Sequence, residues 1–232
     1  MENQQGNLEH IMDQYVPHVA YTLGALFGDG SVKSGAIPSR ESGIYHRVCM
    51  SNMDFDCIEI VRDQINALFK SSYKEYTYRN PNNTRMIGLA INNTLVYEFF
   101  HYFVREKLFI PDEIFRATRE DRIEFIAGLF DTDGTISKSG CYYRVGIASR
   151  HRTFIEDTSR LLKKLGVGVG KITAQISGFG TTIFFMRPNI RSFIDAGCYF
   201  RITRKRSRIL EYRVLTEASE TTIPNPSLRV NV

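Results

Sequence analysis

The sequence predicts an α+β protein in which one αββαββα unit is written twice. A short apolar run ending in acid-glycine occurs at Tyr21–Val32 (YTLGALFGDGSV) and again at Glu124–Ile136 (EFIAGLFDTDGTI), 104 residues later. Set in register, Gly24 falls on Gly128, Gly28 on Thr132, Asp29 on Asp133, Gly30 on Gly134, Ser31 on Thr135 and Val32 on Ile136. The match continues downstream, where HRVCMSNMDFDCIEIVRDQINALF from His46 parallels YRVGIASRHRTFIEDTSRLLKKLG from Tyr143.

Each element of the unit has its own signal. Tyr21–Phe27 and Phe125–Phe130 read as apolar helices. In the two downstream stretches, an alternating strand ends at a serine-containing turn and a helix with apolar residues three and four apart follows. A hairpin comes next in each copy: YKEYTYRNPNNTRMIGLAI turns at Pro81-Asn82-Asn83, and GKITAQISGFGTTIFFMR turns at Ser177 to Gly180. The closing helices are NTLVYEFFHYFV and NIRSFIDAGCYF. The expected layout is a first half at 1–110, a linker at 111–120, a second half at 121–215 and an extended tail at 216–232. The glycine-rich LGVGVGK lacks the G-K-[ST] ending of a phosphate loop and reads as a helix stop before a strand.

Composition narrows the function. At 232 residues with 43% hydrophobic and 24% charged residues, the chain reads as ordinary globular protein. No apolar run reaches the ~18–20 residues of a membrane span, and the polar MENQQGNLEH does not resemble a signal peptide. An intracellular protein is expected. Cys49, Cys57, Cys141 and Cys198 are scattered, which argues against structural zinc and a disulfide framework. The five histidines show no ligand spacing. Net charge is +5, a modest pointer to nucleic acid.

The two apolar helices pose a chemical question. Glycine inside a helix costs about 1 kcal/mol relative to alanine. Gly24 with Gly28, and Gly128 with Thr132, are four residues apart and therefore share a face, which would let the two helices approach closely across a pseudo-twofold axis. Asp29 and Asp133 then lie at the negative ends of two helix dipoles and beside each other, both unfavourable for a carboxylate. Divalent cations between them remove both penalties. Mg2+ takes oxygen ligands, often one or two carboxylates with water and phosphate oxygens, and such ions clamp the attacking and leaving oxygens of a phosphodiester.

IAGLFDTDG (Ile126–Gly134) resembles the LAGLIDADG motif at Ala127, Gly128, Leu129, Asp131, Asp133 and Gly134, and TLGALFGDG (Thr22–Gly30) is similar at Gly24, Asp29 and Gly30. The two-motif layout resembles a single-chain, pseudo-dimeric LAGLIDADG homing endonuclease. The resemblance implies two curved antiparallel sheets forming a DNA-binding saddle, and two or three Mg2+ ions (Mn2+ or Ca2+ as substitutes) held by Asp29 and Asp133 with Gly28 and Thr132. It also implies polar helpers at strand ends and lysines leading into the last helix of each unit; by register these fall at Asn52 and Ser149, and at Lys107 and Lys205. Arg204 and Arg206 flank Lys205 and leave its assignment open. Asp131 occupies the motif's other acidic position, with Phe27 opposite, which agrees with a capping or packing role.

The strands also offer a reading face. Apolar residues alternate with Arg47, Lys74, Tyr76, Tyr78 and Arg85 in the first half, and with Tyr142, Arg144, Lys171, Thr173, Gln175 and Arg187 in the second. Such residues reach phosphates and base edges. The expected function is therefore monomeric, site-specific, double-strand DNA cleavage at a long non-palindromic target leaving short 3′ overhangs. An intron maturase, or another nucleic-acid binder holding its own intron RNA with little or no cleavage, is the alternative. A degenerate DNA-binding regulator would lack an acid and carry a helix-turn-helix, and an intein would show splicing residues at its ends; neither pattern is seen.

Overall fold

A computed structural model describes residues 12–36, 43–104, 106–140 and 142–221. Cys141 and the end of the expected tail, 222–232, lie outside the described residues. The first half runs α1 (Val16–Gly28), β1 (Gly30–Ala36), β2 (Ile44–Asn52), α2 (Phe55–Phe69), β3 (Tyr76–Arg79), β4 (Arg85–Ile91) and α3 (Thr94–Val104). After α4 (Asp112–Arg116) the second half repeats the order with α5 (Arg119–Thr132), β5 (Thr135–Ser139), β6 (Tyr142–Ser149), α6 (Arg152–Lys164), β7 (Thr173–Ile176), β8 (Thr182–Met186) and α7 (Ile190–Asp195), and α8 (Thr203–Thr221) follows. The two antiparallel sheets have matching strand orders, β1-β2-β4-β3 and β5-β6-β8-β7. Among the described residues no helix is long and apolar enough to cross a membrane.

Local chemistry sets the boundaries. Pro17 lies in the first turn of α1, where its missing N–H costs nothing. Thr118 caps α5 by accepting from Asp121 N. The α6 helix stops at Gly166, which adopts φ +91 while Val167 N returns to Leu162 O at 3.0 Å. Both hairpins turn where the sequence places them, at Asn83 (φ +60) and Gly180 (φ +74).

Two stretches depart from expectation. The linker holds a helix, α4, because Ile114 and Phe115 are buried and Glu113 accepts from Tyr102 Oη at 2.7 Å. The α8 helix runs to Thr221, beyond Thr216 where the tail was expected to begin.

The centre of the molecule is the pair α1 and α5. Residues Val19 to Phe27 of α1 and Phe125 to Asp131 of α5 are all buried. The glycines do what their spacing predicts. A Cβ at Gly24 would lie 2.0 Å from Phe125 O and 2.8 Å from Leu129 N; one at Gly128 would lie 2.0 Å from Tyr21 O and 2.9 Å from Ala25 N. Phe125 and Leu129 are the register partners of Tyr21 and Ala25, so the close approach is two-fold symmetric. At the next turn a Cβ on Gly28 would meet Thr132 Oγ1 at 2.0 Å.

Candidate active site

Asp29 and Asp133 are the C-terminal caps of α1 and α5, with backbone N–H groups returning to Ala25 O at 3.1 Å and Leu129 O at 3.0 Å. The close approach of the two helices brings the carboxylates together on a side open to solvent. Surrounding protein and the neighbouring Asp29 charge push Asp133 up to about 6, although Lys107 and Lys205 pull the other way. Asp29 is raised by desolvation too, opposed by the hydrogen bond from Asn52 Nδ2 to its Oδ2 at 2.7 Å and by the same lysines.

Those lysines stand where the helix dipoles ask for cations. Lys107 Nζ donates to Gly28 O at 2.9 Å and Gly30 O at 2.5 Å. Lys205 Nζ donates to Phe130 O and Asp131 O, each at 2.7 Å, and to Gly134 O at 2.5 Å, with Thr132 O at 3.4 Å. Each lysine therefore clamps the end of its own motif helix. Burial depresses both to about 8. Lys205 starts α8, whereas Lys107 follows α3 and sits at φ +58.

The second acid of the α5 motif plays a different part. Asp131 Oδ2 accepts from Tyr21 Oη at 2.8 Å and from the amides of Arg201 at 3.0 Å and Ile202 at 3.3 Å, just ahead of α8. Tyr21 Oη also lies 3.4 Å from Cys57 Sγ. In register, Phe27, Phe125 and Phe154 replace Asp131, Tyr21 and Cys57: Phe27 stacks on Phe154 at 5.6 Å and meets Phe125 edge-on at 5.7 Å. One side of the seam is thus an aromatic trio, and the other is a hydrogen-bonded trio that caps α8.

Oxygen is the donor available for a cation here. The centre offers the Asp29 and Asp133 carboxylates and the carbonyls of Gly28 and Thr132, which retain a lone pair beside their lysine contacts. Among the described residues no three His, Cys, Asp or Glu converge. That set fits a hard cation that keeps water or takes phosphate oxygens, and it lacks the nitrogen and sulfur ligands typical of Zn2+.

Strand register settles which side chains share the open faces. Arg47 pairs with Lys33; alternate residues Val48, Met50 and Asn52 are buried against the helices. On β3, Tyr76 and Tyr78 oppose Gly88 and Met86, on the same face as Arg47, and the Tyr76 ring covers the bare α-carbon of Gly88. Lys74 is exposed two residues ahead of Tyr76. Arg85 departs from this group: it opposes Arg79 and shares the face of buried Ile87, Leu89 and Ile91. The alternation of polar and apolar residues made it look like a reading residue, but its parity is that of the core. In the second half Tyr142, Arg144, Thr173 and Gln175 share the open face, and Lys171 and Arg187 are exposed beside it. Asp133, Arg144 and Arg187 line one hollow of about 260 Å³. The sequence reading missed Lys33, whose signal was its place two residues after Ser31 on the same side of β1.

Residues 120–184 match the family model of the LAGLIDADG-like domain. That stretch, from α5 to β8, resembles a LAGLIDADG-like domain. Most of the chain is similar in fold to solved LAGLIDADG homing endonucleases. I-DmoI in complex with DNA and Ca aligns with TM-score 0.61 at 18% identity, covering 84% of this chain and 98% of that one. The LAGLIDADG homing endonuclease I-LtrWI bound to target DNA aligns with TM-score 0.54 at 9% identity, over 89% and 92% of the two chains. In sequence, 65% of the chain is 24% identical to the ribonucleoside-diphosphate reductase NrdEB subunit alpha of Bacillus subtilis (strain 168), and 75% is 26% identical to the probable translation initiation factor IF-2 of Thermococcus kodakarensis. The chain spans 14% of the length of each of these relatives.

Proposed function

We propose that this protein is a LAGLIDADG-type, site-specific, metal-dependent endonuclease that cuts both strands of a long, non-palindromic DNA target and leaves short 3′ overhangs. The observation that carries the reading is the meeting of Asp29 and Asp133 at the ends of two close-packed helices, between two sheets whose open faces carry arginine, lysine and tyrosine. Arg144 and Arg187, beside Asp133, offer donors to a phosphate of the strand lying there. Asn52 holds Asp29, and Lys107 and Lys205 hold the helix ends that present both acids. Asp29 and Asp133 would hold a divalent cation, which would supply charge neutralisation at the scissile phosphate and a more acidic water. Mg2+ suits the donor set, with Mn2+ or Ca2+ able to occupy the same place. The open faces of the halves carry different residues, so equal half-sites are not expected.

The test is cleavage of supercoiled plasmids carrying sites selected from random and host DNA. Cutting in Mg2+ is expected, with Asp133→Asn retaining DNA affinity and losing cutting. Normal cutting by that variant overturns the assignment. Capture of structured RNA with no cutting of any DNA would put a nucleic-acid binder in the enzyme's place.

A further inference from the structure

Asn52 and Ser149 occupy the same place in the two halves, and both side chains take the amide two residues on. Asp54 N donates to Asn52 Oδ1 at 2.8 Å, and His151 N donates to Ser149 Oγ at 3.1 Å. Only Asn52 has a second polar atom to use. Its Nδ2 tethers Asp29 at 2.7 Å; among the described residues no side chain hydrogen-bonds the Asp133 carboxylate.

The residue that orients Asn52 is itself held from the other half. Asp54 is the N-terminal cap of α2 but makes no side-chain cap bond. Its carboxylate instead accepts Arg204 Nε at 3.2 Å and Nη2 at 2.8 Å, a fork that fixes orientation as well as distance. One residue before Arg204, Thr203 N and Oγ1 donate to Asp56 Oδ2 at 2.7 and 2.9 Å. The N-termini of α2 and α8 are thus clasped across the halves. On its other side the start of α8 is fixed to α5, through the two amides on Asp131 and the Lys205 ammonium on the carbonyls. Arg204 is therefore a rigidly mounted arm reaching from the Asp133 side to the loop that carries Asn52. The first half has no helix in the place of α8, since Lys107 stands in a turn; the segment after it meets the start of α6 where Thr153 Oγ1 donates to Leu108 O at 2.7 Å, but among the described residues no hydrogen bond carries this contact to His151 or Ser149.

We propose that Arg204 and Asp54 are a positioning pair for Asp29, so that the second half sets the first half's carboxylate through Arg204, Asp54 and Asn52. The proposal rests on the endonuclease reading for its consequence: the two carboxylates are held with unequal firmness, and the two strands depend unequally on the clasp.

Two measurements test it with Arg204→Met, which keeps the aliphatic stem and removes the fork. On a duplex labelled on each strand in turn, the variant slows one strand about threefold to fivefold, the scale of a partly exposed ion pair, and leaves the other unchanged. Nicked circles then accumulate with their nicks in one strand. Equal slowing of both strands, or of neither, overturns the proposal. The tether is also read without any cutting. By NMR of the metal-free protein, the Asn52 side-chain amide protons are protected from solvent exchange in the wild type and lose protection in Arg204→Met. Unchanged protection overturns the proposal whatever the nuclease does, whereas a wild type that cuts no DNA counts against the endonuclease reading alone.

Discussion

Tyr21 donates its phenol hydrogen to Asp131 at 2.8 Å, in the place where, across the pseudo-twofold axis, Phe125 packs edge-on against Phe27. Desolvation drives Asp131 up to about 6 and raises the Tyr21 phenol well above its ordinary value. Asp131 Oδ1 is buried without a partner, so the acid depends on what reaches Oδ2. Tyr21→Phe removes one of those donors and should destabilise the protein by about 1–2 kcal/mol. Asp131→Leu should cost more, because it also releases the amides of Arg201 and Ile202. The double variant should cost less than the sum of the two, since the lost bond is counted once. Urea unfolding of the four proteins checks this, and strict additivity would refute the coupling.

Gly24→Ala and Gly128→Ala each force a methyl into a backbone carbonyl 2.0 Å away. Each should cost at least about 2 kcal/mol, toward the upper end of core overpacking, because backbone cannot rotate aside. Gly178→Ala is the control, with nothing within 4 Å of its added carbon. Thermal melts of the three variants give the comparison; a mild effect at Gly24 would mean that the helices can separate cheaply.

The carboxylate pair should tax the fold at neutral pH. Desolvation and the neighbouring Asp29 push Asp133 up to about 6 in the folded protein, against about 3.9 for a free aspartate. Between those values the folded state binds more protons than the unfolded state, so stability from this group falls as pH rises from about 4 to 6 and stays low above. Asp133→Asn is insensitive to that change. In EDTA the variant should melt with the wild type at pH 4 and above it at pH 7, and Mg2+ should raise the wild type more than the variant. Parallel melting curves across the range would contradict the shift.

Position relative to the sheets should separate two exposed arginines. Arg144→Ala should weaken binding to target DNA and lower the slope of log affinity against log salt by about 1 if it meets a phosphate. Arg85→Ala should leave affinity and slope unchanged, because it lies on the helix-bearing side of its sheet. Fluorescence anisotropy at several salt concentrations reads both, and a matching loss in Arg85→Ala would place the DNA elsewhere.

The halves, the seam and the paired acids could be read from sequence because each is a local pattern repeated at a fixed offset. Gly24 and Gly128, or Asp29 and Asp133, inform each other. What the repeat does not contain was hidden. The α8 clasp joins Arg204 to Asp54 and Thr203 to Asp56 across some 150 residues, with no periodicity to announce it. The different reach of Asn52 and Ser149 depends on one extra amide nitrogen, which register treats as equivalence. Arg85 misled because it was grouped with the polar residues of the alternation, although it has the parity of Ile87, Leu89 and Ile91.

The seam also has a consequence for the chain while it is being made. Each αββαββα unit closes through contacts near in sequence, whereas α1 and α5 touch across about a hundred residues, and long-range pairing of this kind is slow to form. During synthesis the first half can fold with Asp29 in place and no partner opposite it. A chain stopped before residue 133 therefore holds one acid of the pair, and one stopped before residue 205 lacks the lysine that steadies the other. The two acids are paired only once both halves have been made, so a chain cut short would lack the pairing on which the proposed cleavage rests.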